Sequence, residues 1–124
     1  MTLRNNLYTI SSRERTTDGS MFLIRLHPDH FIYQAHFPEM PVTPGVCIIQ
    51  MALELMEELE NVRLTLISAG NVKFLSVVNP NETPELCVAI HRVARNGMGL
   101  KASFLVTHND TVFAKLSLMF YAHD

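Results

Sequence analysis

Residues 45–60 read Gly45-Val46-Cys47-Ile48-Ile49-Gln50-Met51-Ala52-Leu53-Glu54-Leu55-Met56-Glu57-Glu58-Leu59-Glu60, with no proline and no glycine after the first position. Met, Leu, Ala and Glu dominate, so the stretch has high helix propensity. Thr43 stands where a side-chain cap is expected, Pro44 suits a first turn, and Glu57, Glu58 and Glu60 make the far end polar. From Val46 through Met56 the only polar side chains are Gln50 and Glu54. A helix that is apolar nearly all round is buried on most sides. No second helical segment of comparable length exists to surround it, so strands must do so.

Working outward, the candidate strands are Met21 to Leu26, Phe31 to Ala35, Val62 to Ser68, Val72 to Val78, Glu85 to Arg95, Leu100 to His108 and Thr111 to Ala122. The last three are joined by the short turns Arg95-Asn96-Gly97-Met98-Gly99 and His108-Asn109-Asp110-Thr111, which fit antiparallel hairpins. Strands in runs rather than alternating with helices define an α+β protein, one long helix against a strongly curved antiparallel sheet.

Composition narrows the functional classes. The 124 residues suit a single domain spanning 1–124, long enough to bury roughly two-thirds of its unfolded surface. Ten Lys and Arg against twelve Asp and Glu give a formal net charge of −2, which argues against nucleic acid or an anionic membrane surface as partner. No apolar run reaches the ~18 residues of a membrane span, and Met1 to Arg15 contains no signal-peptide apolar region, so a cytoplasmic protein is expected. Cys47 and Cys87 lie in apolar runs and read as reduced core thiols.

Ahead of the helix lies His36-Phe37-Pro38-Glu39-Met40-Pro41-Val42-Thr43-Pro44-Gly45-Val46. Three prolines in seven residues fix φ repeatedly and make a stiff connection. It joins a histidine to a helix start at Pro44-Gly45. Gly45 has no side chain to keep a ligand from its amide, and the first helical N–H groups have no intrahelical acceptor. Such donors, aided by the helix dipole, suit an oxyanion or a polarised carbonyl.

This segment matches at every fixed position the pattern His-Phe-Pro-x-x-Pro-x-x-Pro-Gly-Val. It resembles the 3-hydroxyacyl-acyl-carrier-protein dehydratases of fatty acid synthesis, which have the hot-dog fold. The resemblance continues more weakly through Val72-Lys73-Phe74-Leu75-Ser76-Val77-Val78-Asn79-Pro80 and covers most of the chain from about Phe22, with the family's N-terminal portion shortened or diverged. It implies a helix wrapped by a curved sheet, a homodimer or assembly of dimers with sites at the interface, and no metal or redox cofactor. It further implies that His36 acts on the substrate, that Pro44, Gly45 and Val46 bind it, and that the Gly45 amide holds the thioester carbonyl. The substrate would be an acyl thioester on the phosphopantetheine of an acyl carrier protein.

One position departs from the pattern. The family places an acidic residue fourteen positions after the histidine, contributed by the helix of the partner subunit, and here that position is Gln50. Glutamine cannot release a proton. Glu54 lies one turn further on the same helical face, as if acid and amide were exchanged, and a carboxyl desolvated on an apolar surface suits general-acid work. The expectation is therefore that Glu54 supplies the proton, with Gln50 orienting a water or the substrate hydroxyl; one turn is about 5.4 Å of rise, which tests its reach. The alternative structural role is that Gln50 and Glu54 bond each other or a neighbouring loop and serve only to fix the dimer.

Other features read more plainly. His27 and His30 have ligand-like spacing but no accompanying Cys or acid cluster, so no metal site is expected. Met40, Met51, Met56, Met98 and Met119 read as core or tunnel lining. Arg92, Arg95 and Lys101 flank one hairpin and form the only basic cluster, either a solvated face or a dock for an acidic carrier protein. Dehydration of a 3-hydroxyacyl thioester is the leading reading. Its rivals are hot-dog thioester hydrolysis, with Gln50 orienting and Glu54 as base, and a non-catalytic pseudo-dehydratase subunit.

Overall fold

The structure, a computed structural model, describes residues 2–35 and 39–123. Its elements are β1 (Tyr8–Thr16), β2 (Gly19–Leu26), α1 (Phe31–Ala35), α2 (Gly45–Glu60), β3 (Arg63–Phe74), β4 (Glu85–Asn96), β5 (Gly99–His108) and β6 (Thr111–His123). The six strands pair antiparallel throughout and form one sheet in the order β1-β2-β4-β5-β6-β3. The α+β class and the long helix at 45–60 are as expected.

The sheet turns one face to α2, and strand alternation decides which residues are on it. Phe22, Ile24 and Leu26 of β2, Leu86, Val88 and Ile90 of β4, Phe104 and Val106 of β5, and Leu116, Leu118 and Phe120 of β6 are buried. They form one core with Cys47, Ile48, Met51, Ala52, Leu55 and Met56 of the helix. The helix is not covered all round: Val46 is 68% exposed, and Ile49, Gln50 and Leu53 are only partly buried, a stripe at helical spacing that the sheet does not reach.

Three expectations need correction, and one strand, β1, has no counterpart among the expected ones. Phe31–Ala35 forms the short helix α1 rather than a strand; the His30 ring caps it by accepting the Ile32 amide at 3.1 Å. The two strands expected at 62–68 and 72–78 are one strand, β3, kept continuous by irregularities at Leu66/Ser68 and Ala69/Asn71, and residues after Phe74 leave the sheet. β1 carries little apolar alternation because it is an edge strand with most side chains in water. Thr43 does not cap α2: Pro44 is the N-cap residue, and the Thr43 hydroxyl bonds Tyr33 at 2.9 Å.

The far end of α2 repels itself without help, because three glutamates gather where the helix dipole is negative. Each is answered. The Leu64 amide donates to Glu57 at 2.8 Å, Arg4 pairs with Glu58, and Arg95 pairs with Glu60. Asn61 closes the helix with φ 55°.

The β4–β5 and β5–β6 turns each bring a left-handed residue to the first loop position, Gly97 (φ 62°) and Asn109 (φ 51°). A tighter constraint sits at Gly19, where β2 begins beside β4. A Cβ there would lie 1.8 Å from the Ile90 carbonyl oxygen, so only glycine permits this register. Gly19→Ala is therefore expected to destabilise the fold by about 2 kcal/mol through backbone displacement, read as a lowered thermal midpoint with the same circular dichroism spectrum at low temperature.

Candidate active site

The proline-spaced loop enters α2 between two anchors. On one side the Thr43 amide donates to the Val78 carbonyl at 2.8 Å. On the other, the buried Tyr33 of α1 holds the Thr43 hydroxyl. Burial raises the Tyr33 phenol to about 12, against a smaller lowering by the Thr43 bond. His36, the candidate catalytic histidine, lies with Phe37 and Pro38 outside the described residues.

Pro44 at the N-cap is extended (φ −60°, ψ 146°), and its carbonyl accepts the amides of Cys47 at 2.9 Å and Ile48 at 3.2 Å. The amides of Gly45 and Val46 precede the first intrahelical donor, so the helix itself offers them no acceptor. Gly45 meets a second demand as well. A Cβ there would stand 2.7 Å from the Phe74 ring, so the missing side chain lets the end of β3 close against the helix start.

One and a half turns into α2, Gln50 and Glu54 are brought together: the Gln50 amide nitrogen donates to Glu54 Oε2 at 2.9 Å. Both line a cavity of about 590 Å³ between α2 and β3, with Leu53, Leu64 and Leu66 as apolar wall and Arg63 and His123 at its polar side. Glu54 is only 7% exposed. Its other partners come from the chain's beginning: the Leu3 amide donates to Oε2 at 2.8 Å, the Arg4 amide to Oε1 at 2.8 Å, and the Tyr8 hydroxyl to Oε1 at 2.9 Å. Four donors on two oxygens match the acceptor capacity of an ionised carboxylate. Tyr8 is pushed well above the ordinary phenol range, first by burial and then by the Glu54 charge and hydrogen bond.

This geometry bears on the expected roles. Gln50 and Glu54 share a face and bond each other. Of the four groups bonded to Glu54, only the Tyr8 hydroxyl is also able to accept a proton from it. Nothing local in the sequence pointed to Leu3, Arg4 or Tyr8, which reach Glu54 across 46 to 51 residues.

The remaining candidates separate. Arg95 does not join a basic cluster with Arg92 and Lys101; it pairs with Glu60 on the helix side, while Lys101, opposite Ala94 and Met119, occupies the other face of the sheet. Arg92 sits at the β4 irregularity with φ 53°. Both His27 ring nitrogens are engaged, Nε2 with Thr9 at 2.7 Å and Nδ1 with the Asn6 carbonyl at 2.8 Å. Met51 and Met56 are core, but Met40, Met98 and Met119 are exposed because they fall in a loop, a turn and the outward face of β6. Cys47 is a free core thiol whose pKa burial raises, and Cys87 is free and half-buried.

One long helix held against a single antiparallel sheet, its first amides fed by a proline-rich loop, is the hot-dog architecture. The chain belongs to the ApeI-like family, described as ApeI dehydratase, which it matches over residues 12–116. It is 34% identical over 99 residues to the 3-hydroxyacyl-[acyl-carrier-protein] dehydratase FabZ of Geobacillus thermodenitrificans, covering 74% of this chain and 67% of that one. With FabZ of Cupriavidus taiwanensis it shares 29% over 96 residues, 70% and 63% of the two chains. It thus spans about two thirds of the length of these relatives.

Among solved structures, the dehydratase heterocomplex ApeI:P from Xenorhabdus doucetiae aligns with TM-score 0.71 at 20% identity, over 91% of this chain and 96% of that one. A hypothetical thioesterase protein with coenzyme A from Streptococcus pneumoniae aligns with TM-score 0.64 at 6% identity, over 94% and 85%. At such identities these likenesses establish the fold.

The raised phenols make stability sensitive to alkali. Both tyrosines hold their protons in the folded chain above the ordinary value near 10, so their contribution is complete below about pH 10 and is lost as pH rises through 12 and beyond. The expected loss is about 1.4 kcal/mol per pH unit for each group. Tyrosinate absorbance from Tyr8 and Tyr33 should appear together with the loss of far-ultraviolet dichroism; full tyrosinate formation in a still-folded chain would contradict this.

Proposed function

We propose that this chain dehydrates 3-hydroxyacyl thioesters carried on the phosphopantetheine of an acyl carrier protein, giving the 2-enoyl thioester and water. The observation that carries the reading is the complete match of His36 to Val46, ending at a Gly45 amide that opens a buried helix. Membership of the ApeI-like dehydratase family and the likeness to FabZ chains support it.

The thioester carbonyl accepts the Gly45 amide, which stabilises the charge that gathers on oxygen as the α-proton leaves, an effect on the order of 10²–10³ in rate for one such donor. His36 removes that proton. The electron pair of the C–H bond becomes the Cα–Cβ double bond, the Cβ–O bond breaks, and the imidazolium returns the proton so that the hydroxyl departs as water. Gln50 and Glu54 complete the site on the side of the departing hydroxyl. No step requires a metal or a redox group.

A second copy of the chain fits the free edge of β3. The other edge strand, β1, guards itself with Arg13, Glu14 and Arg15, whereas β3 carries no charge between Arg63 and Lys73. Ile67 is 56% exposed and Val77 62%, and the open stripe of α2 lies beside β3. Pairing along this edge would cover these side chains and bring two sites to one interface. The Xenorhabdus doucetiae structure is itself a dehydratase heterocomplex, so an unlike partner chain is the alternative to a second copy.

The direct test supplies the purified chain with a 3-hydroxyacyl carrier-protein thioester and follows the enoyl product and free thiol separately. Enoyl product is expected, falling by about 10³ in His36→Ala. Free thiol without enoyl product would establish hydrolysis instead, and no turnover by the native chain would establish a non-catalytic subunit. Light scattering should give a dimer, and Ile67→Asp with Val77→Asp should shift it to monomer with loss of turnover.

A further inference from the structure

The face of the sheet turned away from α2 carries a polar groove with cations on both banks. We propose that this groove is a second ligand site, separate from the candidate active site, and that it takes the phosphoryl groups of a phosphorylated small molecule. It is independent of the dehydratase reading.

Strand register builds the floor. His91 of β4 stands opposite Ser103 of β5, Ser103 opposite Ser117 of β6, and Ser117 opposite Asn71 of β3. Side chains directly opposite in a sheet share a face, so these four form one row across four strands, about 14 Å long at the usual strand spacing. The row lines a cavity of about 550 Å³ with Arg92 and Lys115. A smaller hollow of about 280 Å³ adjoins it across Asn71 and Ser117, with Lys101 at its margin. His91, Ser103 and Ser117 are half-buried, and among the described residues their side chains have no hydrogen-bond partner.

An irregularity in β4 delivers Arg92. Successive side chains of a regular strand point to opposite faces, so His91 and Arg92 could not both line one cavity. The β4–β5 register shifts between His91 and Ala94, and Arg92 takes φ 53°, a region that a long side chain rarely enters. The bulge thus turns a guanidinium to the same side as the imidazole.

The charge is one-sided. All three lysines of the chain, Lys73, Lys101 and Lys115, are on this face, whereas β3, β5 and β6 contain no Asp or Glu. Glu85, the one acid of β4, pairs with Arg25. Among the described residues neither Arg92 nor any of the lysines forms an ion pair. Lys73 and Lys115 stand directly opposite each other, a like-charge pair that weakens a sheet unless an anion lies between them. Hydroxyl, imidazole and amide groups recessed between ammonium and guanidinium groups match the acceptor oxygens of a phosphoryl group. A carboxylate on a protein surface would meet the rim cations and leave the recessed donors unused.

The test titrates the isotope-labelled full-length chain with inorganic pyrophosphate at constant ionic strength and follows the amide resonances of Arg92, Ser103 and Ser117. Saturable shifts centred on these residues are expected. Affinity should fall on the order of 10-fold in Arg92→Gln and in Lys115→Gln, as for loss of a charge-assisted hydrogen bond. Arg15→Gln removes the same charge from the opposite edge of the sheet and should change affinity by less than about twofold. A parallel titration with ADP separates the sources of the phosphoryl group: tighter binding than pyrophosphate assigns the groove to a nucleotide, and otherwise the phosphate chain alone is the ligand. Shifts that never saturate, or an equal loss in Arg15→Gln, would reduce the groove to diffuse charge and overturn the inference. So would the absence of any response to pyrophosphate and ADP, and saturable shifts with an acidic carrier protein would then make the face a protein dock instead.

Discussion

The structure depends on burying α2. Cys47, Ile48, Met51, Ala52, Leu55 and Met56 need apolar cover, and at roughly 1.5–3 kcal/mol for each large side chain removed from water their burial outweighs any single polar contact in the molecule. One sheet supplies the cover, because α1 has only five residues. A single sheet reaches one side of a helix. The uncovered stripe of Val46, Ile49, Gln50 and Leu53 is a consequence of that geometry, and it is where the polar residues of the candidate site and the open edge of β3 lie.

The parts of the molecule legible in the sequence are those set by local rules. Helical propensity between Pro44 and Asn61 gave the long helix to the residue, and the β4–β5 and β5–β6 hairpins follow from Gly97 and Asn109 at turns with opposed apolar alternation. Phe31 to Ala35 misled because five residues of mixed apolar character satisfy a strand as well as a helix; the deciding group was the His30 ring. β1 was hidden because an edge strand in water carries no alternation to read.

The candidate site divides along the same line. His36, Gly45 and the Gln50–Glu54 pair are visible because a motif and a helical period connect them. The partners of Glu54 are not, since a bond across some fifty residues has no sequence spacing to announce it. Arg95 shows the converse. Proximity to Arg92 in the sequence suggested one basic surface, but strand alternation sent it to the helix side, where it meets Glu60.

The position of the charge along α2 explains why so many donors gather on it. The helix dipole supports a carboxylate only within the first turn, and Glu54 is well beyond it. A carboxylate at 7% exposure costs several kcal/mol to bury unless donors replace the water it gives up. The Leu3 and Arg4 amides, the Tyr8 hydroxyl and the Gln50 amide are those donors. Exchanging acid and amide along the helix therefore requires an N-terminal turn that can reach the new position, and the left-handed Asn5 allows this chain to form one.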